Sequence, residues 1–85
     1  MTGKRIFSSG HARFEMKRRG ISEREVERVI RNPEQIVLSR KGREIYQSKL
    51  GPRGHLLLRV VVKETAAAYN VVTAYKTSKV AKYWR

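Results

Sequence analysis

The sequence predicts an α+β fold in which two N-terminal helices pack on a four-stranded antiparallel sheet. Residues 1–33 carry helix start and stop signals, and the remainder reads as four β-forming runs divided by Gly and Pro. With 85 residues there is room for one core and no second domain, so the helices must cover one face of that sheet.

Ser8-Ser9-Gly10 supplies capping hydroxyls ahead of a first helix over residues 11–19, and Gly20 offers the left-handed position at which a helix stops. In Ile21-Ser22-Glu23-Arg24-Glu25-Val26, Ser22 is the cap and Glu25 follows three residues later. Ile21 and Val26 occupy the two positions that staple across the first turn. Val26, Val29 and Ile30 form the apolar stripe of this second helix, Glu27 and Arg31 are an i, i+4 pair, and Asn32-Pro33 ends it. Arg24, Arg28 and Arg31 fall on its outward face, which is most simply a solvated one.

Strands are expected at residues 35–39, 44–50, 56–63 and 69–76, with turns at residues 40–43 and 51–54. The third reads as central: Leu56, Leu58, Val60 and Val62 alternate with Leu57, Arg59, Val61 and Lys63. In the fourth, strict alternation puts Tyr69, Val71, Thr73 and Tyr75 on one face. Residues 77–85 read as a basic, aromatic tail.

Twenty Lys and Arg oppose seven acidic residues, a formal charge of +13, so a polyanion is the natural partner. If six of those cations met phosphates of a duplex, affinity would fall with salt at a log-log slope of about −5. No cysteine is present, which removes disulfides, thiolate metal sites and a thiol nucleophile, and fits a reducing cytoplasm. All seven acids are Glu, and His11 and His55 are the only imidazoles, a poor ligand set for metal-dependent nuclease chemistry. No cofactor is expected. Residues 1–9 hold no long apolar run, and nothing approaches the roughly 20 residues of a membrane span, so neither a secretory leader nor a membrane partner is expected.

Cleaving RNA without a metal needs a base for the 2′-hydroxyl, an acid for the departing 5′-oxygen, and cations to hold the charged phosphoryl group. His11 is the first candidate, one helical turn from Glu15 and two from Arg18; the alternative is that it only caps or packs its helix. Arg18 and Arg19 can grip a phosphate, and Arg19 can instead bond the last helix carbonyls. Arg59, in mid-strand among apolar residues, must reach solvent on the uncovered face or find a buried partner. Thr73 and Tyr75 share a strand face and offer two hydroxyls, though ordinary β-propensity also accounts for them. Arg13, Arg18 and Arg43 are expected RNA contacts, and Lys76, Lys79, Lys82, Tyr83, Trp84 and Arg85 interleave cations with aromatics, a pattern suited to neutralising RNA backbone and stacking on unpaired bases. A solvated tail is the competing reading for the last of them. His55, behind a Gly-rich turn, could supply the second acid or base, though it reads first as a loop histidine without a role.

His11-Ala12, Met16 and Arg19-Gly20-Ile21-Ser22 together resemble the opening pattern HAxxRMxxRGIS of a family of small uncharacterised domains. Asn32-Pro33-Glu34, Arg43 to Tyr46, Leu58 to Val62 and Val72-Thr73-Ala74-Tyr75 resemble its later blocks, so the likeness spans nearly the whole chain. That family is similar to the barnase-like, EndoU-like, colicin-like and RelE-like ribonuclease toxins. The resemblance implies helices on an antiparallel sheet and metal-independent RNA cleavage, with the family's histidine at His11, its RGI arginine at Arg19 and its strand hydroxyls at Thr73 and Tyr75. One position departs: Glu15 stands where the pattern has an arginine. Either Arg13 or Arg18 substitutes, the arrangement is altered, or the chain binds without cutting.

The expected function is therefore a toxin-like endoribonuclease of the cytoplasm, acting on RNA, on or off the ribosome. His11 would transfer a proton, Arg19 and Arg59 would grip the phosphate, and Thr73 and Tyr75 would position it. The alternatives are a non-catalytic RNA-binding module and a basic domain that docks an acidic protein such as an antitoxin.

Overall fold

A serine opens each of the first two helices. The structure, a computed structural model, describes residues 4–85; residues 1–3 of the stretch expected to lack a leader lie outside it. In α1 (Gly10–Arg18) the Ser9 hydroxyl accepts from the Ala12 amide at 3.1 Å. The helix ends at Gly20, whose φ of 70° is open to a residue without Cβ. Bonds from the Ile21 amide to the Met16 carbonyl (2.8 Å) and from the Gly20 amide to that of Lys17 (3.1 Å) complete a Schellman motif. In α2 (Glu23–Arg31) both bonds of the Ser22–Glu25 capping box are present, and the stapling residues Ile21 and Val26 are buried.

Four strands follow, β2 (Gln35–Leu38), β3 (Glu44–Leu50), β4 (Leu56–Glu64) and β5 (Ala68–Thr77), with β4 at the centre of the sheet. The expectation of two helices on a four-stranded antiparallel sheet is incorrect. A fifth strand, β1 (Arg5–Ser8), pairs in parallel with β5, giving a mixed sheet in the order β1-β5-β4-β3-β2, and a third short helix, α3 (Val80–Tyr83), follows β5. The reason is non-local: β1 is only four residues long, and Arg5 meets its partner Ala68 63 residues along the chain. Its placement is fixed by Ile6 against the core, by Arg31 donating to the Lys4 carbonyl at 3.0 Å, and by an ion pair from Lys4 to Glu64.

The core lies between the two long helices and one sheet face. Ala12, Met16, Ile21, Val26, Val29 and Ile30 pack on Tyr46, Leu58, Val60, Val62, Val71 and Ala74. Strict alternation on β5 fails at one point. Val61 pairs with Thr73 but Val62 with Val71, so Val72 is an extra residue in a bulge. Val71 thereby turns to the core, while Thr73 and Tyr75 stay together on the far face, opposite Val61 and Arg59. No helix among the described residues is long and apolar enough to cross a membrane.

Candidate functional site

Two polar clusters meet on β5. The first is built from α1, where His11, Glu15, Arg18 and Arg19 follow i, i+4, i+7, i+8 spacing and so share one flank. His11 is exposed, and its imidazole makes no hydrogen bond among the described residues. The Glu15 carboxylate takes a hydrogen bond from Arg18 and lies 3.1 Å from Arg19. The Arg18 hydrogen bond holds the Glu15 carboxyl below its ordinary value against a smaller opposing effect of desolvation, helped by the charges of Arg18, Arg19 and His11.

Arg19 reaches from the end of α1 to the sheet edge. Strand β1 stops with Ser8 opposite Val71, which leaves the edge of β5 beyond it without a neighbour. There Arg19 Nη1 donates to the Ala74 carbonyl at 2.9 Å and to Thr73 Oγ1 at 3.2 Å. The guanidinium thus replaces a strand where the sheet runs out, and stands between the flank of α1 and the far face of β5.

The second cluster is a transverse row on that far face. Gln35, Gln47, Arg59 and Tyr75 stand directly opposite one another on β2, β3, β4 and β5. Arg59 donates through Nη1 to the Tyr75 hydroxyl at 2.6 Å and through Nε to Gln47 Oε1 at 2.8 Å. Gln47 Nε2 donates to Gln35 Oε1 at 2.9 Å and to the Tyr83 carbonyl at 3.1 Å. Arg59 is only 5% exposed because residues after β5 fold back over it, with the Tyr83 ring 4.0 Å from the guanidinium carbon. A buried guanidinium is tolerable here since its neighbours accept from it and an aromatic face covers it.

Four of the five residues expected to form one catalytic shell therefore form two pairs joined by β5, and His11 stands apart. Arg19 touches Thr73, Arg59 touches Tyr75, and His11 lies on α1 without a bond to either pair. Of the expected RNA contacts, Arg13, Arg18, Lys79 and Lys82 are exposed and Arg43 is half-buried at the β2–β3 turn. Lys76 lies on the helix side, 3.5 Å from Glu25, away from Tyr75. Tyr83 covers Arg59, and the Trp84 ring lies 4.1 Å from Lys49 Nζ, so these tail residues are docked on the sheet rather than solvated. His55 sits against Gly51, where a Cβ would fall 2.4 Å from the ring.

Three polar residues of these clusters were not candidates: Glu15, Gln47 and Gln35. Glu15 is legible as the residue four positions from both His11 and Arg19. The two glutamines have no sequence signal, because their partnership with Arg59 depends on strand register. No group of three or more potential metal ligands occurs among the described residues.

Fold and site together define a small basic α+β domain with an exposed helical imidazole and two arginines beside one strand. Residues 8–76 match the family model described as a domain of unknown function, DUF4258, and the chain belongs to that family. No curated protein and no solved structure matches it.

Proposed function

We propose that this chain is a toxin-like, metal-independent endoribonuclease working on the flank where α1 meets β5. One observation carries the reading: an exposed His11 shares a helix face with Arg18 and Arg19, and Arg19 lies 3.2 Å from the Thr73 hydroxyl, in a chain of net charge +13. The uncharacterised family that its motifs resemble is similar to ribonuclease toxins, which favours the same chemistry. The ribose 2′-oxygen attacks the adjacent phosphorus as His11 takes its proton, and the bond to the 5′-oxygen breaks as that oxygen takes a proton from water, leaving a cyclic phosphate and a free 5′-hydroxyl. Arg18 and Arg19 exchange Glu15 for the phosphate, whose charge grows in the transition state, and Thr73 holds a phosphoryl oxygen. Arg59 acts at one remove, as a positioning residue that fixes the Tyr75 hydroxyl.

The test is incubation of end-labelled RNA with the pure protein in EDTA. Cleavage to cyclic-phosphate ends is expected, with a loss of about 100-fold or more in His11→Ala while RNA binding is retained. Absence of cleavage by the unmodified chain would sink the enzymatic reading. A second reading, a non-catalytic RNA-binding module, is favoured by the engagement of Arg59 with Gln47, Tyr75 and Tyr83, and salt-sensitive binding without cleavage would select it.

A further inference from the structure

The groove filled by residues 79–85 has a built-in polarity. Arg59 has donors and no acceptor, so Gln47 must turn its carbonyl oxygen toward it and its amide nitrogen toward Gln35 Oε1. Gln47 is wholly buried and cannot turn over without losing both bonds. The Gln35 amide is fixed in turn, presenting a carbonyl oxygen and an NH2 group side by side. These meet the backbone of Arg85: the Arg85 amide donates to Gln35 Oε1 at 3.0 Å, and Gln35 Nε2 donates to the Arg85 carbonyl at 2.7 Å.

An oriented amide meeting an adjacent donor and acceptor is also how glutamine reads adenine, through N6–H and N7. The remaining walls suit a base as well. The Arg59 guanidinium carries a stacked aromatic ring, that of Tyr83, and Lys49 lies over the Trp84 ring. The covering segment is weakly committed: α3 is four residues long and buries none of them, and the family match ends at residue 76, before the segment begins.

We propose that this groove is a binding site for an unpaired adenine base of RNA, and that residues 79–85 are its intramolecular occupant. The backbone of Arg85 stands in for the base edge and the Tyr83 ring for its stacking face. The proposal rests on the reading of the chain as an RNA-binding or RNA-cleaving domain, and adds a base preference and a cover that must lift.

The test compares the full chain with a chain ending at Ser78, measuring the anisotropy of fluorescent oligoadenylate and of the same oligomer built with 7-deaza-adenine. Truncation removes three cations, Lys79, Lys82 and Arg85, so charge alone predicts weaker binding. The proposal predicts the reverse, a gain of about tenfold for oligoadenylate, most of it absent with the 7-deaza oligomer or with Gln35→Leu in the shortened chain. Tyr83→Ala with Trp84→Ala in the full chain, which keeps every cation, should give the same direction and serves if the short chain does not fold. Equal or weaker binding on uncovering, or a gain indifferent to Gln35 and N7, would overturn the proposal while leaving RNA binding by the full chain intact. A gain only for an extended peptide would also overturn it. Failure of every form to bind RNA would instead remove the functional reading beneath it.

Discussion

Arg19 clasps Thr73 across the open edge of β5, with one guanidinium nitrogen shared between the Thr73 hydroxyl at 3.2 Å and the Ala74 carbonyl at 2.9 Å. The contact joins α1 to the strand that also carries Tyr75, so it bears on stability and on the geometry of the proposed site together.

Truncating this clasp should be felt in both. Arg19→Ala leaves the Ala74 carbonyl without its partner and releases Glu15 from one of its two arginines, at a cost of about 1 to 3 kcal/mol in urea unfolding. Arg19→Lys keeps the charge but cannot serve the edge and Glu15 as a planar fork, so it should recover only part of the loss. Thr73→Val should cost less than Arg19→Ala, because the Ala74 bond survives it. Equal stability of Arg19→Ala and the unmodified chain would remove the structural role.

The buried row should behave as a unit. Arg59→Met leaves Gln47 Oε1 buried without its donor and should cost about 2 to 4 kcal/mol, whereas Tyr75→Phe should cost about 1 to 2, because the half-exposed Tyr75 hydroxyl is easier to lose. Combining Arg59→Met with Gln47→Leu should cost clearly less than the sum of the two single changes, since the double change leaves neither end of the Arg59–Gln47 bond orphaned. Additive costs would show that the two side chains contribute independently.

What could be read in the sequence follows the distance over which each interaction acts. The Ser22–Glu25 box, the Ile21–Val26 staple and the Gly20 stop each close within one or two helical turns, and all three are present. Strand β1 could not be read, since four residues acquire strand geometry only by pairing with a segment more than sixty positions away. The pairing of Thr73 with Tyr75 on one face holds, but their expected company with Val71 does not, because the Val72 bulge is a property of two strands in register. Arg59 posed the right question, solvent or buried partner. The answer, Gln47 and Tyr75 under Tyr83, again required register and the fold-back of residues beyond β5.

Stability should weaken at both ends of the pH scale, for separate reasons. Glu15, Glu25 and Glu64 are held below their ordinary value of 4.5, chiefly by Arg18, by the Ser22 amide and by Lys4 respectively. Each contributes stability that is fully present above that value and is lost as pH falls through the lowered folded one. Denaturation midpoints should therefore drop below about pH 4.5, and Glu25→Gln, which keeps an acceptor for the Ser22 amide but loses the charge, should flatten part of that limb. Tyr46 runs the other way: burial first, and then the neighbouring Glu64 carboxylate to which its hydroxyl donates, push its phenol from 10.0 up to about 12. A raised phenol favours the protonated fold, so its contribution is intact below pH 10 and fades between there and about 12. Following tyrosinate absorbance through an alkaline titration should show one of the four tyrosines ionising last, with unfolding, and Tyr46→Phe should remove that step. A single tyrosine transition near pH 10, with no loss of structure, would contradict the placement of Tyr46 beside Glu64.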